Sequence, residues 1–295
     1  MSQGQTIIII GANGRMGAAL CRHYRDAHRV LPFTRAELDV SKTETIRPSL
    51  ASLHFDLIIY AAGSTDVDGC EDRPEEALRT NCEAPRELAR ICLEKGARFI
   101  HVSTDYVFDG SEEGFRKEDD PAEPASAYGR SKLAGEKAVL EVSGQFLVTR
   151  ISWLFGPDRD AFPDSILKKA QTHSNVEAIA DKWSSPTYSE DLAEWIRPML
   201  FDPGYKGIFH LSNSGFATWQ EYGQKTLDIA ASYNIPLQAR TVSPLYLDEV
   251  SFFRAQRPRY TAFNTSRFQG ISGITPRHWE KALEAHIVQK YVENK

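Results

Sequence analysis

The stretch that decides the fold is Ile7-Ile-Ile-Ile-Gly-Ala-Asn-Gly-Arg-Met-Gly17, in which four isoleucines precede glycines 11, 14 and 17. The isoleucine run predicts a buried strand, and helical periodicity begins at Arg15. Glycines at this spacing permit a tight turn, close approach of the backbone to a pyrophosphate, and close packing of helix on sheet. The free N–H groups of the helix then face the phosphates. We predict a dinucleotide-binding loop that includes Gly11, Asn13, Gly14, Arg15, Met16 and Gly17.

Short β-branched runs and longer helical patterns alternate through the first half of the chain. Further strands are predicted at residues 56–60, 98–102 and 145–151, and helices at residues 15–25, 75–95 and 128–142. This alternation indicates βαβ units, whose parallel sheet must be covered on both faces. The predicted fold class is α/β: a Rossmann-type, doubly wound parallel sheet in a three-layer sandwich, with a smaller C-terminal substrate lobe.

The second half of the chain is less regular and is interrupted by prolines. Gly156-Pro157 ends the last clear strand, so we place the change near residues 154–158. We expect a dinucleotide-binding domain over residues 1–155 and a mainly substrate-binding lobe over residues 156–295. Residues 176–180 and 207–211 are predicted to return as extended segments, so the division is not a clean cut.

Composition excludes several classes of protein. The chain has 295 residues with 35 Lys plus Arg, 40 Asp plus Glu and a formal charge of -5, and its basic residues are scattered, which disfavours nucleic-acid binding. The four cysteines lack CxxC spacing and the histidines form no zinc motif, so no disulfide framework and no metal site is expected. No apolar run is long enough to span a membrane, and the N-terminus lacks a signal-peptide pattern. We expect a soluble cytoplasmic protein.

The choice of cofactor is predicted from the residues about eighteen positions beyond Gly17. Many NAD sites place an acid on the ribose hydroxyls about 20 residues beyond the glycines, but here the chain has Phe33-Thr34-Arg35. A hydroxyl and a guanidinium suit a 2′-phosphate, and Arg15 adds a second positive charge. NADP(H) is therefore preferred, with NAD(H) possible. Asp39 and Val40 follow and are expected near the adenine.

The segment Tyr128-Gly-Arg-Ser-Lys132 carries the predicted chemistry. Residues four apart lie on one face of a helix, so a phenol and an ammonium are brought together. The ammonium favours the phenolate and makes the tyrosine a better proton shuttle. A preceding strand delivers Ser103 and Thr104 to the carboxyl edge of the sheet, where open α/β folds bind ligands. We expect Thr104, Tyr128 and Lys132 to form the catalytic group.

Together these segments resemble the extended short-chain dehydrogenases/reductases, and most of all their sugar-nucleotide reductase branch, typified by dTDP-4-dehydrorhamnose reductase. The resemblance rests on GANGRMG, AAGSTDVDGCE, STDYVFDG, YGRSKLAGEKA, RISWLFGP and SSPTYSEDLA, which occur in family order. It implies that Thr104, Tyr128 and Lys132 are catalytic, that Asn81 supports the lysine, and that Ala61, Ala62 and Gly63 line the nicotinamide. The implied sugar contacts are Thr65, Val67, Thr104, Tyr106 and Trp153, although Val67 and Trp153 are also compatible with the core.

The activity implied by this resemblance is NADPH-dependent reduction of the C4 keto group of a nucleotide-linked 4-keto-6-deoxy sugar. The expected partner is the nucleotide sugar, and the protein is expected to be a monomer or homodimer. The sequence departs from the reductase pattern at two places. Tyr260 stands where the reductases usually have a small polar pair that holds the nucleotide, and the C-terminal segment lacks the acids of a magnesium-linked dimer.

Three other functions occur in proteins with similar sequence segments: a dehydratase, an epimerase and a regulatory subunit. A dehydratase needs an acid pair after the threonine, whereas here Asp105 is followed by Tyr106, so dehydration is disfavoured. An epimerase needs only the tyrosine, the lysine and a hydroxyl and stays open. A non-catalytic NADP-binding regulatory subunit, like the methionine adenosyltransferase beta subunit, also stays open. The helical apolar spacing of Trp279, Leu283, Ile287 and Tyr291 predicts packing on the protein's own core rather than a tail for a partner.

Overall fold

The computed structural model describes residues 4–293 and has an α/β architecture. Its strands are β1 Thr6–Ile10, β2 Arg29–Phe33, β3 Leu57–Tyr60, β4 Arg98–Thr104, β5 Leu147–Ile151, β6 Leu154–Phe155, β7 Val176–Ile179, β8 Trp183–Ser184, β9 Thr187–Tyr188, β10 Gly207–Leu211, β11 Ala217–Thr218 and β12 Val242–Leu245. Its α-helices are α1 Arg15–Tyr24, α2 Thr43–Leu50, α3 Val67–Asp72, α4 Pro74–Leu78, α5 Ala84–Lys95, α6 Ala127–Val142, α7 Phe162–Thr172, α8 Ser189–Ile196, α9 Trp219–Ser232, α10 Ser266–Ser272 and α11 Trp279–Ile287. Arg79–Glu83 and Val288–Val292 form π-helical turns, and short 3-10 turns lie at Asp105–Val107, Arg197–Met199 and Leu247–Glu249.

The central sheet has six parallel strands in the order β10-β5-β4-β3-β1-β2. The predicted doubly wound parallel sheet is therefore confirmed. The chain passes from β1 outward to β2 and then returns to β3 on the other side of β1, which creates a switch point between β1 and β3. The loops after these two strands begin at Gly11 and Ala61, and both open towards the same crevice.

Two apolar layers enclose the sheet, as predicted. On one face, Ile7 and Ile9 pack with residues of α1 and α8. On the other face, Ile8 and Ile10 pack with residues of α2, α5 and α6. Alternating side chains of one strand thus enter two different cores, and this explains the unbroken isoleucine run.

The later part of the chain contributes both to the sheet and to a smaller lobe. Of the two segments predicted to return, Gly207–Leu211 pairs with β5 at the edge of the central sheet, whereas Val176–Ile179 pairs with β12 in a separate two-stranded sheet. The lobe has its own core around α7, α9 and α11. Trp279, Leu283 and Ile287 are buried in that core, so the predicted packing of this stripe is confirmed.

Within residues 4–293, no helix combines the length and the apolar character that a membrane span requires. In the same part of the chain, His, Cys, Asp and Glu side chains do not gather in threes or more in a way that suits a metal ion.

Candidate active site

A cavity of about 1090 Å³ opens at the switch point between β1 and β3. The glycine loop, the turn after β2, the loop after β3, the end of β4 and the start of α6 all contribute to its wall. With one exception, the structure places on this wall every residue predicted to be catalytic or to contact the cofactor or the sugar: Gly11, Asn13, Gly14, Arg15, Met16, Arg35, Asp39, Val40, Ala61, Ala62, Gly63, Thr65, Val67, Thr104, Tyr106, Tyr128, Lys132 and Trp153. The exception is Gly17, which lies beneath the loop.

The glycine loop has the close packing that a pyrophosphate cradle requires. Gly11 has φ +87°, and a side chain there would come within 2.7 Å of the Ala62 amide nitrogen. A side chain at Gly17 would overlap the Gly11 carbonyl oxygen, so this glycine lets α1 pack against the loop. No side chain caps α1 at Gly14. The helix N-terminus therefore keeps N–H donors for an anion, and the loop fits a dinucleotide.

Arg15 makes a contact that its sequence position did not predict. Its guanidinium donates to the Asp160 carbonyl at 2.6 and 3.2 Å and so ties the glycine loop to the segment before α7. Burial, followed by the nearby Arg159, lowers the pKa of Arg15. The positive charge expected at a 2′-phosphate is thus engaged with the smaller lobe in this structure.

The turn after β2 contains an acid that the sequence argument missed. Glu37 accepts hydrogen bonds from the Thr34 amide at 2.7 Å and from the Thr34 hydroxyl, and these bonds lower the pKa of its carboxyl. Arg35 is 76% exposed in its side chain, and its Nε lies 3.6 Å from Asp39 Oδ1. The predicted 2′-phosphate position therefore has one exposed guanidinium, paired with Asp39, and the Glu37 carboxylate lies two residues further along the same turn.

Tyr128 is held at the first turn of α6. The Ser126 hydroxyl caps the helix by accepting the Gly129 amide at 3.2 Å, and a side chain at Gly129 would overlap the Tyr106 carbonyl oxygen. The Tyr106 ring meets the Tyr128 ring edge-on, with 5.5 Å between their centres. Burial raises the pKa of Tyr128, and a hydrogen bond with Thr104 opposes that rise. The phenol therefore keeps its proton at neutral pH.

Lys132 lies one turn further along α6 and is buried. Its Nζ donates to the Val102 carbonyl on β4 at 2.6 Å. Burial lowers the pKa of Lys132 to about 8, with Glu136 acting in the opposite direction. The prediction that this ammonium favours the Tyr128 phenolate is not met, because burial raises the pKa of the phenol.

Thr104 is oriented by its neighbour in the chain. Its hydroxyl donates to Asp105 Oδ1 at 3.1 Å, and it accepts the Tyr106 amide at 3.3 Å. Asp105 also accepts the hydroxyls of Ser152, at 3.0 Å, and Thr261, at 2.7 Å, and is buried. Asp105 thus accepts three hydroxyls around Thr104. Sequence reasoning missed this role because it treated Asp105 only as half of an absent acid pair.

Asn81 lies in the π-helical turn before α5 and braces the loop after β3. Its Oδ1 accepts the Ser64 amide at 2.9 Å, while its Nδ2 donates to the Ser64 carbonyl at 3.1 Å and to Ser131 Oγ at 2.9 Å. Its side chain therefore connects α6 to the loop that carries Gly63. The expected support of the lysine stays a prediction.

Two of the predicted sugar contacts, Trp153 and Val67, belong both to a packed cluster and to the cavity wall. Trp153, which has φ +42°, packs on Phe162 and Tyr222 with ring centres 5.1 and 4.8 Å away, and it also lines the cavity. Val67 begins α3 and packs near Tyr128. Both residues thus combine core packing with a place on the wall.

A second cavity of about 470 Å³ lies next to α3 and is lined by Arg254, Arg257 and Arg259, among others. Asp68, next to Val67, holds its loop: it accepts the Arg254 amide at 2.9 Å, the Ala255 amide at 2.8 Å and the Arg257 guanidinium at 2.7 and 3.0 Å. The bond from Arg257 is the main cause that lowers the pKa of Asp68 to about 2. This ion pair joins α3, whose Val67 lines the first cavity, to Arg257, which lines the second.

Tyr260 was expected to crowd the nucleotide corner. It lies flat against Trp183, with 4.8 Å between ring centres and 11° between ring planes, and its hydroxyl donates to Glu113 at 3.0 Å. Both rings line a third cavity of about 260 Å³, whereas Arg259 lines the second one. The side chain thus turns away from the arginine-lined cavity.

Comparison with known proteins agrees with this geometry. The family model described as RmlD substrate binding domain matches residues 5–292. The chain belongs to this family. One relative of this RmlD-family chain is dTDP-4-dehydrorhamnose reductase of Mycobacterium tuberculosis, which is 35% identical over 95% of this chain and 92% of that protein. Another is the spore coat polysaccharide biosynthesis protein SpsK of Bacillus subtilis, which is 30% identical over 96% of this chain and 97% of that protein. The structure of dTDP-4-dehydrorhamnose reductase from Bacillus anthracis in complex with NADP has a TM-score of 0.89, with 28% identity over 97% of this chain and 100% of that one.

Proposed function

We propose that this protein is an NAD(P)-dependent oxidoreductase that uses NADPH to reduce the C4 keto group of a nucleotide-linked 4-keto-6-deoxy sugar. The observation that carries the proposal is that Thr104, Tyr128 and Lys132 line the same cavity as the glycine loop. The names of RmlD-family relatives, among them dTDP-4-dehydrorhamnose reductases, support the same reaction class.

The cofactor fits the residues present. Gly11, Gly14 and the open N-terminus of α1 would hold its pyrophosphate, and Ala61, Ala62 and Gly63 would lie along the nicotinamide. When bound, NADPH supplies the hydride. Thr34 and Arg35 would bind the 2′-phosphate, while Glu37 and Asp39 weaken that preference, so we propose that NADPH is preferred and NADH is accepted.

The chain's own residues supply the rest of the chemistry. Tyr128 keeps its proton until negative charge develops on the substrate oxygen and then donates it, because its raised pKa makes earlier loss unfavourable. Lys132 places a positive charge next to this proton transfer and would bind the ribose hydroxyls. Thr104 donates to the substrate oxygen after its hydroxyl rotates away from Asp105.

We place the nucleotide part of the substrate in the second cavity. Guanidinium groups are the side chains best suited to a diphosphate, and three of them line that space. Asp68 anchors their loop next to Val67, a proposed sugar contact, so one elongated ligand would reach from the catalytic tyrosine to the arginines.

A screen of thymidine-, uridine-, guanosine- and cytidine-linked 4-keto-6-deoxy sugars, followed by NADPH absorbance, tests the proposal. We expect stoichiometric oxidation of NADPH with at least one of the four. An epimerase would interconvert sugars without net oxidation, and a regulatory subunit would give no turnover but would recover a methionine adenosyltransferase in a pull-down. Either outcome would contradict the proposed reduction.

A further inference from the structure

A second buried lysine lies close to the proposed catalytic group and takes no part in the chemistry described above. Lys182 directly precedes β8 and is 1% exposed, so its ammonium is enclosed by protein. Its Nζ donates to Ser184 Oγ at 3.1 Å and lies 5.2 Å from the centre of the Tyr106 ring. Lysine is seldom fully buried unless its charge is compensated, so this ammonium needs an explanation.

The extended backbone around β8 brings Lys182 and Ser184 to one side. Successive side chains of an extended segment alternate between two faces. Trp183, between them, points the other way and stacks on Tyr260 at the third cavity. The Thr261 amide donates to the Trp183 carbonyl at 3.0 Å, so the segment of Thr261 runs beside β8. This pairing places the Thr261 side chain next to Ser184.

A hydrogen-bond chain connects the ammonium to Asp105. Ser184 Oγ lies 2.9 Å from Thr261 Oγ1, and the Thr261 hydroxyl donates to Asp105 Oδ2 at 2.7 Å. An ammonium can only donate and a carboxylate can only accept. Ser184 therefore accepts from Lys182 and donates to Thr261, so each proton in the hydrogen-bond chain points towards the carboxylate. The other oxygen of Asp105 accepts the Thr104 hydroxyl at 3.1 Å.

Charge and ring contacts join Lys182 to the same site. Burial lowers the pKa of Lys182 to about 8, while the Asp105 carboxylate acts in the opposite direction and Arg257 in the same one. Asp105 is thus the favourable counter-charge, and it is reached through two hydroxyls. A cation near an aromatic ring is attracted by the electrons of the ring. The Tyr106 ring meets this ammonium and also meets the Tyr128 ring edge-on, with 5.5 Å between ring centres.

We propose that Lys182 is a positioning residue that acts on Thr104 through Asp105. Its ammonium, connected by the two hydroxyls, orients the Asp105 carboxylate and offsets part of its negative charge. Asp105 then fixes the Thr104 hydroxyl but holds its proton less strongly, so a substrate oxygen competes for that proton more easily. Lys182 touches neither substrate nor cofactor in this role. The effect on turnover rests on the proposed function, whereas the hydrogen-bond chain is a property of the folded protein.

The first test is an NMR titration of lysine side chains without substrate. The Lys182 signal is identified by its loss in Lys182→Met, and that of Lys132, whose pKa is also about 8, by its loss in Lys132→Met. Wild type is compared with Thr261→Val, which keeps the shape of the side chain but breaks the hydrogen-bond chain. The matched control is Thr149→Val, because Thr149 is a buried threonine of β5 whose hydroxyl has no hydrogen-bond partner within residues 4–293.

We expect the Lys182 midpoint to fall by about half a pH unit or more in Thr261→Val, because the ammonium loses its hydrogen-bonded connection to the carboxylate. Thr261→Ser restores the hydroxyl and should recover most of the shift, and Thr149→Val should leave the midpoint unchanged. If Thr261→Val does not fold, Ser184→Ala breaks the hydrogen-bond chain one residue earlier and should give a similar fall. An unmoved midpoint in the folded variant, or an equal shift in Thr149→Val, overturns the proposal.

The second test is a double-mutant cycle that separates positioning from a general structural role. Lys182→Met keeps an unbranched side chain without the charge and should lower kcat by about 10-fold, with KM for NADPH unchanged. In a Thr104→Val background the same change should have little further effect, because the hydroxyl on which Lys182 acts is absent. Losses in kcat that simply multiply overturn the proposal. Absence of turnover in wild type would contradict the proposed function alone, and the titration would still decide this inference.

Discussion

The Thr104 hydroxyl lies 3.1 Å from Asp105 Oδ1 and donates its proton to that carboxylate. The other carboxylate oxygen of Asp105, Oδ2, in turn accepts the hydroxyls of Ser152 and of Thr261, a residue of the later part of the chain. The orientation of the proposed catalytic hydroxyl therefore depends on contacts from both parts of the protein. A substrate oxygen must compete with Asp105 for the threonine proton.

The first prediction compares two substitutions of that threonine. Thr104→Val keeps the shape but removes the hydroxyl, and should lower kcat by roughly 10²-fold, the loss typical of one donor to a developing oxyanion. Thr104→Ser keeps the donor and should stay close to wild type. Turnover followed by NADPH absorbance checks this, and a Thr104→Val enzyme as active as Thr104→Ser would rule out the role.

The second prediction concerns the acid. Tyr128→Phe keeps the ring that meets Tyr106 but has no proton to give, so kcat should fall by about 100-fold or more. Tyr222→Phe is the matched control, because the Tyr222 hydroxyl is buried without a hydrogen-bond partner among the described residues. It should retain activity. Near-normal kcat in folded Tyr128→Phe would refute the assignment.

The third prediction concerns cofactor preference. Arg35→Asp removes the exposed guanidinium and should shift the kcat/KM ratio towards NADH, whereas Glu37→Gln removes a carboxylate and should shift it towards NADPH. Because both side chains are exposed, we expect little change in Tm. Steady-state kinetics with both cofactors measure the ratio, and two unaltered ratios would show that this turn does not contact the ribose.

The fourth prediction tests the arginine-lined cavity. Asp68→Asn weakens the ion pair with Arg257 that holds the 254–257 loop, so KM for the nucleotide sugar should rise several-fold while kcat changes little. Glu94→Gln is the control, since Glu94 pairs with Arg47 in another exposed ion pair and neither residue lines the first or the second cavity. Equal KM values for both variants would mean that this loop does not bind substrate.

The fifth prediction is a pH dependence. The pKa of Lys132 is lowered to about 8, so its ammonium is present below pH 8 and is lost as pH rises through that value. Activity that needs this charge should therefore decline above about pH 8. For folding the sign is opposite: the unfolded chain holds the extra proton up to its higher pKa, so this group favours the folded state increasingly from pH 8 to about 10.4. A rate profile flat to pH 10 would contradict the charge requirement.

Much of the fold was predictable because burial on both faces of the sheet leaves apolar runs such as Ile7–Ile10. The strand Arg29–Phe33 was missed for the corresponding reason. It lies at the sheet edge, is only partly buried, and contains Pro32, which an edge strand tolerates and an inner strand does not. The two-stranded sheet that contains Val176–Ile179 could not be predicted either, because its partner strand Val242–Leu245 is distant in the chain.

The positions of the site residues were predictable where a motif carries them, as for Gly11, Tyr128 and Lys132. The contacts that tune them were not, because they join distant segments: Arg15 with Asp160, and Asp105 with Thr261. The raised pKa of Tyr128 was missed for a related reason. Spacing reveals that a lysine is near, but only the packed structure reveals how deeply both groups are buried.

The most direct test of the central claim uses NADPH carrying deuterium at both C4 positions of the nicotinamide, with a 4-keto-6-deoxy sugar nucleotide as substrate. The proposed reaction predicts one deuterium at C4 of the product sugar for each NADPH oxidised, and loss of this transfer in Tyr128→Phe. Product whose new C4 hydrogen comes from solvent, or sugar that changes configuration while NADPH stays intact, would contradict hydride transfer at this site.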